Sequence, residues 1–280
     1  MSTPRTADGV VLRIVDYSDT SQIVTFWTRE AGRLTGIAKG AKRAKSAFHG
    51  PFDLFALHHL NYREKTAGQL HLLTAADLLD AHTGLRADPV RLTAAGWCAE
   101  ILLGLTDEGL PIPPLFDLLV DSLQGLEACP GPEFRVPGPG APNPGLETQD
   151  SGPETPNPEP EAPPWTSVLF RFEAQALTHL GHRPRVGACV ACGAALDRTA
   201  LFSPRAGGAV CDRCARGEPA PLRVRAETLR LLDGLAEPGA PPPPAPVPAP
   251  LRQELRAVLR VAFTELLERA PVALTLLPPG

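Results

Sequence analysis

Four cysteines carry the clearest chemistry in the chain. They read Cys189-x2-Cys192, then eighteen residues, then Cys211-x2-Cys214. Two close thiol pairs, each in a short turn and separated by about one hairpin, wrap a single tetrahedral ion, and the spacing predicts a zinc site. All four positions would be filled by protein, leaving no place for water or substrate. The expected zinc is therefore structural. Two disulfides would fit a secreted chain, and the opening Met1-Ser-Thr-Pro has no apolar leader. A redox dithiol needs only one Cys-x-x-Cys in a βαβ setting. Cys98, inside an apolar helical pattern, reads as a small core residue rather than a nucleophile.

The second chemical feature is a run of cations. Between Ala31 and Phe52 stand Arg33, Lys39, Lys42, Arg43 and Lys45 with no carboxylate among them. Small residues in Ala38-Lys-Gly-Ala-Lys-Arg-Ala-Lys-Ser let a phosphate backbone come close while the long cations reach outward. Such contacts give affinity through counterion release and carry no base specificity. A solvated basic loop is the plain alternative. Next to a small barrel, the same run points to DNA or RNA. Trp27, Phe48 and Tyr62 are the candidate base-stacking rings. Catalytic patterns are scarce. The Gly36 to Lys42 stretch lacks phosphate-loop spacing. His58 and His59 adjoin in a strand pattern, so they point to opposite faces. Asp77, Asp80 and His82 could bind a metal, but a polar inter-domain turn is the better explanation. The chain is not expected to be an enzyme.

These residues need elements to hold them. Residues 9–80 alternate apolar and polar with a period near two: Val10 to Ile14, Ile23 to Trp27, Leu34 to Ala38, Phe52–Tyr62, and Gln69–Thr74. Five short strands with little helix between them predict a small closed barrel, either an OB-fold or an SH3-like barrel. From Pro89 the period turns helical. Asp88 should cap the first helix with Pro89 at its first position. Further helices are expected at Pro114–Leu126, Trp165–Leu180 with Gly181 as its stop, Arg225–Leu235 and Leu251–Ala270. The fold class is thus α+β: an OB-fold barrel over residues 1–82, then a mainly helical domain over residues 83–280. Three segments interrupt the helices: a Pro-rich insertion at 130–164, the zinc module at about 183–217 and a second Pro-rich stretch at 238–250. The insertion holds twelve prolines and six carboxylates against one arginine, and should be extended and mobile. The stretch at 238–250 holds eight prolines and should run as a polyproline II spacer.

Charge is unevenly spread. The net charge is only −4, yet all four lysines lie in the first 65 residues. Residues 1–80 hold ten basic and eight acidic side chains, against seventeen and twenty-three in residues 81–280. That contrast marks a basic binding surface on the barrel and an acidic body. No apolar run approaches a membrane span, and the chain reads as cytoplasmic.

At this point Gly9-Val-Val-Leu12, Tyr17-Ser-Asp19, Thr28-x3-Gly32 and Ala38-Lys-Gly-Ala-Lys-Arg43, followed by a helical domain with paired Cys-x2-Cys, resemble the RecO family of bacterial recombination mediators. The resemblance covers residues 8–80, 85–128 and 165–235. The two Pro-rich stretches fall outside the family pattern, and Ala47–Phe52 is a shorter lead-in to strand four. The resemblance implies a nucleoid-associated protein that binds single- and double-stranded DNA and anneals complementary strands. It implies action with RecR and with the single-stranded-DNA-binding protein (SSB) to load RecA, without nucleotide or covalent chemistry. It also implies that the helical domain receives the acidic, apolar-ended C-terminal tail of SSB, with Arg91, Arg171 and Arg256 as rim candidates, while RecR meets the barrel end. Two other readings stand beside it: a zinc-ribbon RNA-binding factor of translation or transcription, and a metal-dependent nuclease using Asp77 and Asp80.

Overall fold

The structure is a computed structural model that describes residues 3–65, 69–130, 163–196, 198–243 and 247–278. Five strands open the chain: β1 (Pro4–Asp16), β2 (Gln22–Thr28), β3 (Gly32–Ala38), β4 (Leu57–Arg63) and β5 (His71–Asp80). They close into a barrel in the order β1-β2-β3-β5-β4. Pairing is antiparallel except between β3 and β5, which run parallel over Gly36 to Ala38. The barrel interior is Val11, Val24, Phe26, Leu34, Leu60 and Leu73, with further small apolar side chains.

Two expected strand limits move. The fourth strand starts at Leu57, because Phe52 and Phe55 leave the ladder to fill two different cores: Phe52 enters the barrel and Phe55 the helical domain. The fifth strand continues past Thr74 to Asp80, where Asp80 pairs with Leu57. Ala75-Ala76-Asp77-Leu78-Leu79 does not alternate, so its period hid the strand.

Seven helices are described: α1 (Thr83–Arg86), α2 (Pro89–Leu105), α3 (Pro113–Ala128), α4 (Pro164–His179), α5 (Ala226–Leu235), α6 (Ala249–Leu267) and α7 (Val272–Leu276). The start of α2 follows its signals: Asp88 Oδ1 accepts the Val90 N–H at 2.8 Å, and Pro89 stands at the first position. Gly181, with φ of 80°, ends the α4 segment while the His182 N–H returns to the Leu177 carbonyl at 2.7 Å. Buried among these helices, Glu173 Oε1 accepts both the Trp97 indole N–H and Arg256, each at 2.6 Å. Arg256 also lies over the Phe170 ring at 4.5 Å. Burial raises the Glu173 carboxyl pKa despite Arg256. Farther along α2, Glu100 accepts the Val272 and Ala273 amides at 3.0 and 2.9 Å, tying down α7.

Between α4 and α5 lies a three-stranded sheet of β6 (Thr199–Ser203), β7 (Gly208–Val210) and β8 (Leu222–Arg225), ordered β7-β6-β8. The insertion 130–164 lies almost wholly outside the described residues. The Pro-rich stretch after α5 is held rather than free at its start. The Ala240 carbonyl accepts Arg171 Nε at 2.9 Å and Gln175 Nε2 at 3.0 Å.

Barrel and helices share an apolar seam. Val10, Leu12, Trp27 and Phe55 are buried in the helical core. By simple alternation Val11 faces the barrel while Val10 and Leu12 face the helices, and a register shift between Val11 and Arg13 then returns Ile14 to the barrel side. Arg29 grips Asp117 through two hydrogen bonds of 3.0 Å. Gly32 has φ of 65°, and a Cβ there would sit 2.2 Å from the Leu110 carbonyl oxygen. Among the described residues, no helix is long and apolar enough to cross a membrane.

Candidate nucleic-acid interface and metal centre

The basic loop leaves β3 at Lys39 and is anchored from within. Ala41, Phe48 and Phe52 are buried in the barrel core. Phe52 packs edge-on against Phe26 at 5.5 Å and against His58 at 5.0 Å, and its N–H donates to Gln22 Oε1 at 2.9 Å. These apolar plugs leave Lys39, Lys42, Arg43 and Lys45 exposed together. The loop is also stitched to the β1–β2 turn. The Lys42 N–H donates to the Thr20 carbonyl at 3.1 Å, and the Gly40 N–H to Ser21 Oγ at 3.3 Å. Lys42 Nζ pairs with Asp16 at 2.6 Å and holds that carboxyl below its usual range. A phosphate would compete with Asp16 for this ammonium.

Arg33 does not join the cluster. Its guanidinium donates to the Leu103 carbonyl at 2.7 Å, so it serves the seam at the C-terminal end of α2. The suggested stacking rings are not available either: Trp27, Phe48 and Tyr62 are all buried. The supporting turn was the feature least visible in sequence. Tyr17-Ser-Asp-Thr-Ser reads as a turn, yet nothing local shows that it grips a loop twenty residues away.

The four cysteines converge. Their sulfurs all lie within 4.8 Å of one another, with Cys192 and Cys211 at 3.8 Å. Bonds of about 2.3 Å to a tetrahedral zinc require sulfur separations of about 3.8 Å, so the set fits that ion. Each pair sits on a knuckle. Gly193, with φ of 72°, donates its N–H to the Cys189 carbonyl at 2.8 Å, and the Ala215 N–H reaches the Cys211 carbonyl at 2.9 Å. Backbone amides aimed at sulfur, that of Cys211 first, lower the Cys189 pKa to about 6. Crowding by the other sulfurs, Cys192 first, raises Cys214 to about 12. Amide-solvated thiolates packed against like charge are what a dication relieves.

A second cluster differs from its expectation. Asp80 and His82 meet Glu127 from α3, while Asp77 faces His49 at 3.9 Å. The His82 side chain is fully buried, with Nδ1 3.2 Å from Glu127. Glu127 Oε1 also accepts the Gly84 N–H at 2.6 Å, and Asp80 accepts the His82 N–H at 2.9 Å. Both carboxylates thus brace the turn between barrel and helices. Glu127 stands forty-five residues away and gave no sequence signal.

Residues 1–82 match the family described as recombination protein O N terminal. Residues 86–136 and 159–274 match recombination protein O C terminal. The chain belongs to the RecO family. Relatives named DNA repair protein RecO align over most of its length. That of Anaeromyxobacter dehalogenans (strain 2CP-C) is 33% identical over 232 residues, covering 82% of this chain and 78% of the relative. The Rhodopirellula baltica protein is 31% identical over 238 residues, covering 84% and 76%. The Myxococcus xanthus protein is 32% identical over 231 residues, covering 81% and 78%. The N-terminal RecO match ends at the Asp80–His82 turn, and the C-terminal one spans all four cysteines.

Proposed function

We propose that this chain is a recombination mediator of DNA repair that binds single- and double-stranded DNA, anneals complementary strands and makes no covalent change. The observation that carries this is the anchored loop, where Lys39, Lys42, Arg43 and Lys45 stand exposed together on a closed barrel. RecO membership, on both domains, supplies the repair and recombination setting. The closed five-stranded barrel is read here as an OB-fold, whose β2–β3 face and β1–β2 loop would be a nucleic-acid platform. The zinc at Cys189, Cys192, Cys211 and Cys214 is structural in this reading.

RecR and SSB are the protein partners in this reading, and RecA is the beneficiary. An apolar groove of about 290 Å³ between α4, α6 and α7 suits the SSB tail. Trp165, Ala257, Leu274 and Leu277 line it, with Arg260 available to a terminal carboxylate while Arg256, at its edge, is held by Glu173. Of the three rim candidates, Arg256 alone lines this groove. Arg91 donates to the Glu127 and Cys129 carbonyls, and Arg171 to Ala240.

The deciding experiment replaces Lys39, Lys42 and Arg43 together with Glu. Affinity for oligonucleotides of unrelated sequence should fall alike, and annealing with it. For each phosphate no longer neutralised, the slope of log K against log salt should shrink by about 0.7 on single strands and 0.9 on duplex. Unchanged slope and affinity would place the DNA site elsewhere. Pull-downs with RecR and with an SSB tail peptide test the partners.

A further inference from the structure

The described residues include fourteen Phe, Trp and Tyr side chains, and thirteen of them are buried. The exception is Tyr17, 63% exposed. It roots the β1–β2 turn, where its N–H donates to the Ser21 carbonyl at 3.0 Å and the Ser21 N–H returns to Ser18 at 3.3 Å. The same turn carries the basic loop: Asp16 on one side of Tyr17 binds Lys42 Nζ, and Thr20 on the other binds the Lys42 amide. The turn that bears the ring and the loop that bears the cations are thus bonded to each other.

The surface beside the ring suits an unpaired strand. Arg13 and Val15 lie exposed on the outer side of β1, and Tyr17, just past the end of the strand, is exposed as well. Their ladder partners continue this face. Val15 opposes Ile23 and Ile23 opposes Ile37, while Arg13 opposes Thr25 and Thr25 opposes Thr35. The result is a low apolar strip with Arg13 at one flank and Lys39, two residues past Ile37, at the other. Apolar area presents itself to bases, and the flanking cations present themselves to phosphates. A duplex keeps its base faces inside its own stack, so it gains nothing from an exposed ring; a single strand does.

We propose that Tyr17 is the base-stacking platform of this barrel and gives the surface its preference for single-stranded DNA. The proposal rests on the DNA-binding reading above and adds to it the source of strand selectivity. The loop lysines neutralise phosphate in either form of DNA, and the phenol ring adds affinity only where a base is free to lie on it.

The test uses the full chain with Tyr17→Ala and Tyr17→Phe, read by fluorescence anisotropy on labelled oligo(dT) and on a duplex of equal length. Tyr17→Ala should weaken oligo(dT) binding by about tenfold, the usual loss of one stacked base. It should leave duplex affinity unchanged, and leave the salt slope unchanged because the same phosphates stay neutralised. Tyr17→Phe keeps the ring face and should bind as the parent does. Tyr17→Trp should add an emission that oligo(dT) quenches, since the three native tryptophans are buried. Equal losses on both DNAs, no loss in Tyr17→Ala, or a Tyr17→Phe as weak as Tyr17→Ala would each overturn the assignment. The triple Lys/Arg reversal is measured alongside. If it abolishes binding while Tyr17→Ala does not weaken it, the stacking role alone falls. If neither weakens binding, the DNA-binding reading of this surface falls as well.

Discussion

His58 sets an acid limit on the barrel. It is buried beside Phe52, the anchor of the basic loop, and neither ring nitrogen has a hydrogen-bond partner among the described residues. Burial alone lowers its pKa from 6.5 to about 4. The neutral imidazole is the folded form, so the unfolded chain binds more protons between those values. Stability is then full above pH about 6.5 and is lost as pH falls towards 4. At pH about 5 the two pKa values give a loss of about 2 kcal/mol, reduced to about 1–2 kcal/mol by residual access of water. His58→Leu removes the proton site while keeping an apolar volume. Denaturant midpoints at pH about 7.5 and about 5 should converge for the variant relative to the parent by that amount. Metal loss in acid affects both proteins and cancels. In an NMR titration of the parent, the His58 Cε1 proton should complete only about a tenth of its titration shift between these pH values. A His58 midpoint near 6.5, or an equal pH dependence in His58→Leu, would refute the reasoning.

The remaining predictions concern the metal, the buried carboxylate and the seam. The purified parent should carry one zinc per chain by elemental analysis, and Cys189→Ser should lose it and unfold at lower temperature. Zinc-free parent protein purified without chelator would remove the assignment. Glu173→Ala strands Arg256 and the Trp97 indole in the core, so its denaturant midpoint should reflect a loss of about 3–5 kcal/mol; Glu173→Gln, which keeps an acceptor, should lose less. Gly32→Ala and Gly109→Ala both force a side chain into positive φ, at 65° and 76°. Only Gly32 also meets backbone, the Leu110 carbonyl, so thermal unfolding should show a clearly larger loss there than the about 1–2 kcal/mol of the φ strain alone. Equal losses would mean the seam opens to make room.

Much of this architecture was legible because its signals are local. Asp88 with Pro89, the Gly181 stop and the Cys-x2-Cys pairs each write a boundary into a few residues, and each appears where the pattern put it. The exceptions are long-range. Arg33 lies within the cation run, but α2 offers it a carbonyl that no nearby residue announces. Trp27 alternates as a barrel residue should, yet its face is the outer one, buried because a second domain covers it. Glu127 joins His82 only after α3 folds back. In each case a tertiary partner, absent from the local pattern, decided where a side chain went.

The ties across the helical body bear on how the protein is made. The barrel is complete once Asp80 has left the ribosome, and it can fold at once. The helical core cannot, because Trp97 waits for Glu173 and Arg256, and Glu100 waits for Val272. Synthesis of those nearly two hundred residues takes about 10–40 s at typical bacterial rates. Throughout that interval the finished barrel shows Val10, Leu12, Trp27 and Phe55 to solvent, the face later covered by the helices. A ribosome stalled before α6 therefore releases a folded barrel with an open apolar flank, a natural client for chaperones and a starting point for aggregation.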